Sequence, residues 1–359
     1  MTADAPTIYR TALMESLDQQ VFHQVARWLD DGRSCWLCTV VATIGAAPRP
    51  VGSLLACNRD GAVVGSLSGG CVEDDLLEKL RSGELAITHP LIVEYGVTPE
   101  QNERLGLPCG GRLQVLVEHW HPDVLLPLRQ LIQLLDQRRI ARRYLDLDNS
   151  TWRVEEAAEF AALALADKTL QQSYGPRFQL LLVGAGEIAR CLAAMARMLD
   201  YRVLVCDPRP QLIAQWSDLD GHAEVELLRC MPDDAVRDYC GDDPHSIVIT
   251  LTHDPRIDDM ALMEALQRNL FYVGALGSER TSAKRRERLQ QLDLSPAQIA
   301  KLHAPVGLNI GSKRPPEIAI AILAELTALR SQELRHQELR GQGLRHQEPS
   351  ASGTKNCLA

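Results

Sequence analysis

Leu181-Leu182-Val183-Gly184-Ala185-Gly186-Glu187-Ile188-Ala189 is the stretch on which the reading of this chain turns. A short apolar run meets G-x-G-x-x-A and passes into a helical pattern, and Asp207 closes the next apolar run, where a ribose-binding carboxylate would stand. The glycines allow a tight turn and close backbone approach, and the free N–H groups at a helix N-terminus favour an anion. Outward from this turn, apolar runs recur at Leu180 to Val183, Val203 to Cys206, Val225 to Leu228, Ile247 to Leu251 and Phe271 to Val273, with helical patterns between most of them. That alternation predicts a parallel, doubly wound, Rossmann-like α/β sheet, entered through the break at Gly175-Pro176 and closed by a helix from Pro316 to Leu329. The glycine turn serves either a dinucleotide or the fold alone, and Asp207-Pro208-Arg209-Pro210 is an unusual continuation for the former.

Ligands of open α/β sheets collect outside the carboxyl ends of the strands, so three further loops should face the same crevice. Thr252-His253-Asp254 offers an imidazole able to hold a ligand or move a proton, while Asp254 reads as the cap of a helix beginning near Pro255. Gly274-Ala275-Leu276-Gly277-Ser278 leads into Arg280, Lys284, Arg285, Arg286 and Arg288. A glycine loop entering a basic helix suits a phosphate, but beyond Ser278 and Arg280 these charges read as a solvated face. Pro305-Val306-Gly307-Leu308-Asn309-Ile310-Gly311 is the third loop.

The N-terminal part reads as a smaller mixed α/β unit. Leu17, Val21, Val25 and Leu29 recur at helical spacing before Gly32, Cys35 to Ile44 is strand-like, and Asn58-Arg59-Asp60-Gly61 signals a hairpin turn. Cys35 and Cys38, three apart on a strand, should point to opposite faces, which argues against a shared disulfide or metal. Gly69-Gly70-Cys71 sets a thiol at a helix N-terminus, where thiolate is favoured, although Glu73, Asp74 and Asp75 oppose this. Cys109-Gly110-Gly111 is a second thiol beside a closely approachable backbone. Each cysteine alone reads as turn filling; two of them beside glycine pairs raise a soft-ligand or sulfur site. The expected organisation is a mixed unit over 1–120, a connecting helical segment over 121–175 with a leucine-rich and an alanine-rich helix, the doubly wound unit over 176–330, and a disordered tail over 331–359.

The chain has 359 residues and a formal net charge of −9, which leaves no broad basic footprint for nucleic acid as a main partner. Its longest stretch without charged residues, Ser34 to Pro48, is shorter than the roughly 20 apolar residues that span a bilayer, so no membrane segment is expected. The N-terminus lacks the charged-then-apolar form of a secretory signal, so a cytoplasmic location is expected. In that setting the 10 cysteines read as buried or reactive thiols rather than a disulfide framework.

Taken together, the motifs resemble the XdhC/CoxI family, accessory proteins of molybdenum hydroxylases. Ala47-Pro48-Arg49-Pro50-Val51-Gly52, Gly65-Ser66-Leu67-Ser68-Gly69-Gly70-Cys71-Val72-Glu73 and Pro108-Cys109-Gly110-Gly111 are similar to the family's N-terminal motifs. Gly184-Ala185-Gly186, Asp207-Pro208-Arg209-Pro210, His253-Asp254-Pro255, Gly274-Ala275-Leu276-Gly277-Ser278, Pro305-Val306-Gly307-Leu308 and Pro316-Glu317-Ile318-Ala319 follow in the family's C-terminal order. Two departures are Ala189 at the third position of the glycine turn and a run after Arg209 that lacks an Arg-Phe-Pro-like segment.

The resemblance implies a protein that binds molybdenum cofactor, guards it during exchange of an oxo ligand for sulfur, and helps insert it into a xanthine dehydrogenase-like apoenzyme. A cysteine desulfurase is the second implied partner, and self-association as a homodimer stays open. Cys71 and Cys109 would meet the molybdenum–dithiolene end, and Gly184, Gly186, Gly277, Ser278 and Arg209 the phosphate end, with His253 lining the cleft. Gly69, Gly70, Glu73, Gly110, Asp207 and Arg280 complete the expected cofactor-binding set. Two other functions stand beside it: an NAD(P)-dependent oxidoreductase using His253 as acid/base, and a sulfur relay carrying persulfide on Cys71 or Cys109.

Overall fold

The computed structural model describes residues 17–45, 49–85, 89–105, 111–217 and 225–343, except the side chains of 99 and 334–343. Three sheets follow one another along the chain. The first is built from β1 (Cys35–Ile44), β2 (Leu54–Asn58), β3 (Val63–Gly65), β4 (Leu91–Tyr95) and β5 (Arg112–Trp120), in the antiparallel order β3-β2-β1-β5-β4. Helix α1 (Leu17–Asp30) covers one face, and α2 (Cys71–Ser82) the other. Alternation along β1 sends Cys35 and Leu37 into the α1 core, and Trp36, Cys38 and Val40 into the α2 core, so Cys35 and Cys38 lie on opposite faces as expected. A short α3 (Pro99–Leu105) joins β4 to β5.

The segment after β5 departs from the sequence reading. The leucine-rich helix is present as α4 (Leu125–Asp136), but the alanine-rich part is not helical. It lies within a second antiparallel sheet, β7-β6-β9-β8, formed by β6 (Ile140–Asp146), β7 (Thr151–Ala157), β8 (Ala164–Ala166) and β9 (Thr169–Tyr174). Pairing outweighs alanine's helix preference here, because Leu145 and Leu170 pack with Val41 and Leu116 of the first sheet. Leu128, Leu131, Ala141, Val154 and Tyr174 enter the same core as α1, so this segment completes the first unit's interior and is more than a connection.

The third sheet is parallel and matches the expected doubly wound form. It comprises β10 (Gln179–Val183), β11 (Arg202–Cys206), β12 (Glu226–Leu228), β13 (Ser246–Thr250), β14 (Tyr272–Ala275) and β15 (Leu302–His303), in the order β12-β11-β10-β13-β14-β15. Central strands β10 and β13 are buried throughout, which is why they read as unbroken apolar runs. On one face α5 (Glu187–Met198), α6 (Pro210–Ser217) and α11 (Pro315–Gly343) cover the sheet. On the other lie α7 (Pro232–Tyr239), α8 (Pro255–Ala265), α9 (Glu279–Gln291) and α10 (Pro296–Ile299). Arg138, just after α4, grips Asp243 through two hydrogen bonds of 2.9 Å and Ser246 at 3.1 Å, tying the first two sheets to the third.

Helix α11 also corrects an expectation. It runs to Gly343 and so enters the segment read as a disordered tail. Glu, Leu, Arg and Gln dominate 331–340, and these residues propagate a helix already nucleated by packing against α5, even without a core of their own. Residues 344–359 lie outside the described residues. No helix among the described residues is long and apolar enough to cross a membrane.

Candidate functional site

The strand order reverses direction between β10 and β13, which marks the carboxyl ends of these strands as the crevice where ligands of such sheets collect. Gly184, at the end of β10, has φ +111, and a Cβ there would stand 2.8 Å from Thr252 Cγ2, so only glycine lets the two loops meet. Gly186 caps α5, and a Cβ there would meet no atom within 4 Å, which leaves the helix N-terminus open to the crevice.

Asp207 is fully buried, and its carboxylate is engaged on both oxygens. It accepts from the Ala185 amide at 2.9 Å, the Arg209 amide at 3.0 Å, and Arg209 Nε and Nη2 at 2.8 Å each. Burial raises its proton affinity, but the Arg209 guanidinium and the two amides prevail and hold the carboxyl below the usual aspartate value. The residue placed to hold a ribose is thus folded back onto the glycine turn and neutralised.

The loops after β13 and β14 are joined underneath by a buried network. Thr252 donates its hydroxyl to Asp258 at 2.7 Å, Arg285 Nη2 pairs with the other Asp258 oxygen at 2.8 Å, and Arg285 Nη1 reaches the Leu276 carbonyl at 3.0 Å. Both charged side chains are at most 3% exposed. Burial pushes the Asp258 carboxyl up to about 6, against the pull of Thr252 and Arg285. Arg285 therefore points inward, and Arg288 pairs with Asp259 at 2.7 Å, which corrects the reading of these arginines as a solvated face.

Above this network, Asp254 caps α8 through the Arg256 amide and Ser278 caps α9 through the Thr281 amide. His253, Ser278 and Arg280 are exposed, and Gly277 packs against Thr281 and Arg285. The third loop is held from α11: Glu325 accepts from the Gly307 amide and the Tyr272 hydroxyl at 2.7 Å each, and contacts His303 Nδ1 at 2.9 Å. These contacts hold the Glu325 carboxyl below the ordinary glutamate value despite its burial.

In the first unit, Glu73 organises the loop before α2. One oxygen accepts from the Ser66 hydroxyl and from the amides of Leu67, Ser68 and Gly69 at 2.7–2.9 Å; the other accepts from the Gly70 amide at 3.0 Å and from the Ser68 hydroxyl. Its carboxyl falls to about 2; burial opposes the fall, and the Ser68 hydroxyl and the loop amides drive it. Glu73 thereby fills the N–H cradle that an anion would use, and serves to shape the loop. Gly69, at φ +89, and Gly70 lie in open space, and Cys71 is exposed at the first position of α2. Cys109 and Gly110 lie outside the described residues.

The predicted residues therefore gather into two groups. Gly184, Gly186, Asp207, Arg209, His253, Gly277, Ser278 and Arg280 stand along the carboxyl ends of the parallel sheet, and Gly69, Gly70, Cys71 and Glu73 form one loop of the first unit. Among the described residues no hydrogen bond or ion pair joins that loop to those strand ends. Sequence reasoning missed Asp258, Arg285 as an inward group, and Glu325. The spacing of Asp258-Asp259 against Arg285 and Arg288 was a usable signal for the first two; Glu325 carried none.

Comparison with known proteins agrees with this layout. The XdhC Rossmann domain matches residues 180–326, and the XdhC and CoxI family matches residues 28–96. A probable xanthine dehydrogenase subunit of Bacillus subtilis is 26% identical over 327 residues, covering 85% of this chain and 96% of that protein. The molybdenum cofactor insertion chaperone PaoD of Escherichia coli is 26% identical over 321 residues, covering 86% of each. A crystal structure described as that of a xanthine dehydrogenase from Bacillus halodurans shares the fold, with a TM-score of 0.68 at 24% identity over 93% of this chain and 98% of that one. With both family segments present in order along the chain, the chain belongs to the XdhC and CoxI family.

Proposed function

We propose that this chain is a maturation factor that takes molybdenum cofactor as cargo, shields it during sulfuration and assists its insertion into a xanthine dehydrogenase-like apoenzyme in the cytoplasm. A relative named as a cofactor insertion chaperone, matched along most of both chains, supports the cargo class. The observation that carries the reading over a nicotinamide enzyme is Asp207, whose carboxylate is spent on Ala185 and Arg209 rather than offered to a ribose.

The residues present fit such a cargo. Its phosphate suits the open N-terminus of α5 at Gly186 and the charge of Arg280, with Arg209 holding Asp207 against the glycine turn and Gly184, Gly277 and Ser278 shaping the turns around them. Its soft sulfur end suits the exposed Cys71 thiol, presented by the loop that Glu73 fixes, with Cys109 as a second thiol. His253, exposed in the loop after β13, would line the cargo site. Sulfur for the exchange would come from a cysteine desulfurase.

The test is anoxic purification of the full chain from cells making the cofactor, followed by assay of bound molybdenum and pterin. Near-stoichiometric pterin that transfers to a cofactor-free hydroxylase and restores its activity is expected, with retention lost in Cys71→Ala. Absence of pterin together with tight NADH or NADPH binding and turnover of a carbonyl substrate would overturn the proposal in favour of an oxidoreductase.

A further inference from the structure

Two thiols outside the proposed cargo contacts stand against one another at the edge of the parallel sheet. Cys206 is the last residue of β11 and fully buried; Cys230 follows β12 and is partly exposed. β11 and β12 run in register with Cys206 opposite Leu228, which brings the Cys206 and Cys230 sulfurs to 3.9 Å. Cys206 Sγ also lies 3.4 Å from the Cys230 carbonyl oxygen, to which it donates. We propose that Cys206 and Cys230 are a redox modification site, closing to a disulfide when the chain meets a hydroperoxide.

The two thiols differ in the way the chemistry requires. Cys230 is partly exposed while Cys206 is fully buried, so a hydroperoxide reaches Cys230 first, and the contact with Cys230 together with burial holds Cys206 protonated. Cys230 is therefore the attacking sulfur. Its thiolate attacks the outer oxygen of the hydroperoxide, the O–O bond breaks, and the departing alkoxide or hydroxide takes up the proton that Cys230 released. The product is Cys230 sulfenic acid and an alcohol or water. Cys206 then attacks the sulfenic sulfur, the S–O bond breaks, and hydroxide leaves with the Cys206 proton as water. Two thiols lose two electrons in all, and one hydroperoxide is reduced.

A disulfide bond of about 2.05 Å requires the sulfurs to close roughly half of their present separation, and Cys230 sits in the partly open position from which it can turn. The bond would lock the residue immediately before Asp207, and hence the carboxylate that holds the Ala185 amide in the glycine turn. Four of the other described cysteines cannot supply the attacking thiolate. Burial pushes the Cys35 and Cys57 thiols up to about 12 and the Cys240 thiol to about 11, and raises Cys38 well above its ordinary value.

The test treats the reduced full chain with equimolar hydrogen peroxide, alkylates remaining thiols, and maps peptides by mass spectrometry. A Cys206–Cys230 crosslinked peptide that disappears with dithiothreitol is expected in most molecules. Cys206→Ser should yield Cys230 sulfenic acid trappable by a dimedone reagent, and Cys230→Ser should leave Cys206 alkylatable only after denaturation. Recovery of both residues as free thiols in a chain whose Cys71 has been oxidised would overturn the proposal. So would a crosslink to any other cysteine in place of this pair, or a Cys206→Ser chain that gives no sulfenic acid.

Discussion

The buried pair under the crevice makes a sharp prediction. Arg285→Met keeps most of the side-chain volume but leaves Asp258, 1% exposed, without the guanidinium at 2.8 Å, and strips the Leu276 carbonyl of its donor. Removing one member of a buried ion pair costs about 3–5 kcal/mol, a large share of the roughly 5–15 kcal/mol that holds a folded chain together. The loss should depend on pH with a definite sign. Asp258 already has a folded-state value near 6, above the ordinary aspartate value of 3.8, so its contribution is greatest below about 4 and declines as pH rises through 6. Without Arg285 the folded-state value climbs further, so the variant should recover much of its deficit as pH falls from 8 to 5.5. Urea unfolding midpoints of parent and variant at these two pH values measure the deficit, and Asp258→Asn added to the variant should flatten the pH dependence. A deficit under about 1 kcal/mol, or one equal at both pH values, would refute the argument that an unpaired buried carboxylate is what the substitution creates.

Other outcomes follow from the same geometry. Gly184→Ala should lower stability by about 2 kcal/mol or more, because of its φ of +111 and the 2.8 Å approach to Thr252, whereas Gly186→Ala should fold as the parent does; thermal unfolding separates the two. Glu73→Gln should cost about 1–2 kcal/mol after allowance for the half-exposed setting of the carboxylate, and should speed hydrogen exchange at the amides of Leu67 to Gly70. Glu325→Ala should free the Gly307 amide, seen as faster exchange there while the amides of β10 stay protected.

What could be read from the sequence was what is local. The parallel strands announce themselves because both faces are buried and the runs of Leu, Val and Ile are unbroken, and the caps at Asp254 and Ser278 are set by neighbours two or three residues away. The second sheet hid itself. Its β8–β9 turn uses Asp167 and Lys168, at φ +46 and +64, where the usual hairpin signal would be Asn-Gly, and alanine's helical preference pointed the other way. The direction of Arg285 could not be read either, since a helix with charges on several faces does not say which one meets a buried aspartate. Glu73 was expected to bind a ligand; its role in shaping the loop depends on a fold-back that only coordinates display.

The contiguous arrangement of the cores also sets an order of events at the ribosome. Phe22 meets the ring of Tyr174 edge-on at 4.9 Å, so the first interior stays open until Tyr174 has been made, roughly 8 to 30 s after Phe22 at ordinary elongation rates. Later, Leu192, Ala193 and Ala196 of α5 wait for Ala319, Ile322 and Leu326 of α11, which follow only after every strand of the parallel sheet has been made. The nascent chain thus carries a bare apolar face until α11 emerges, and a product terminated before Leu326 would keep one permanently, marking it for holdase capture or proteolysis.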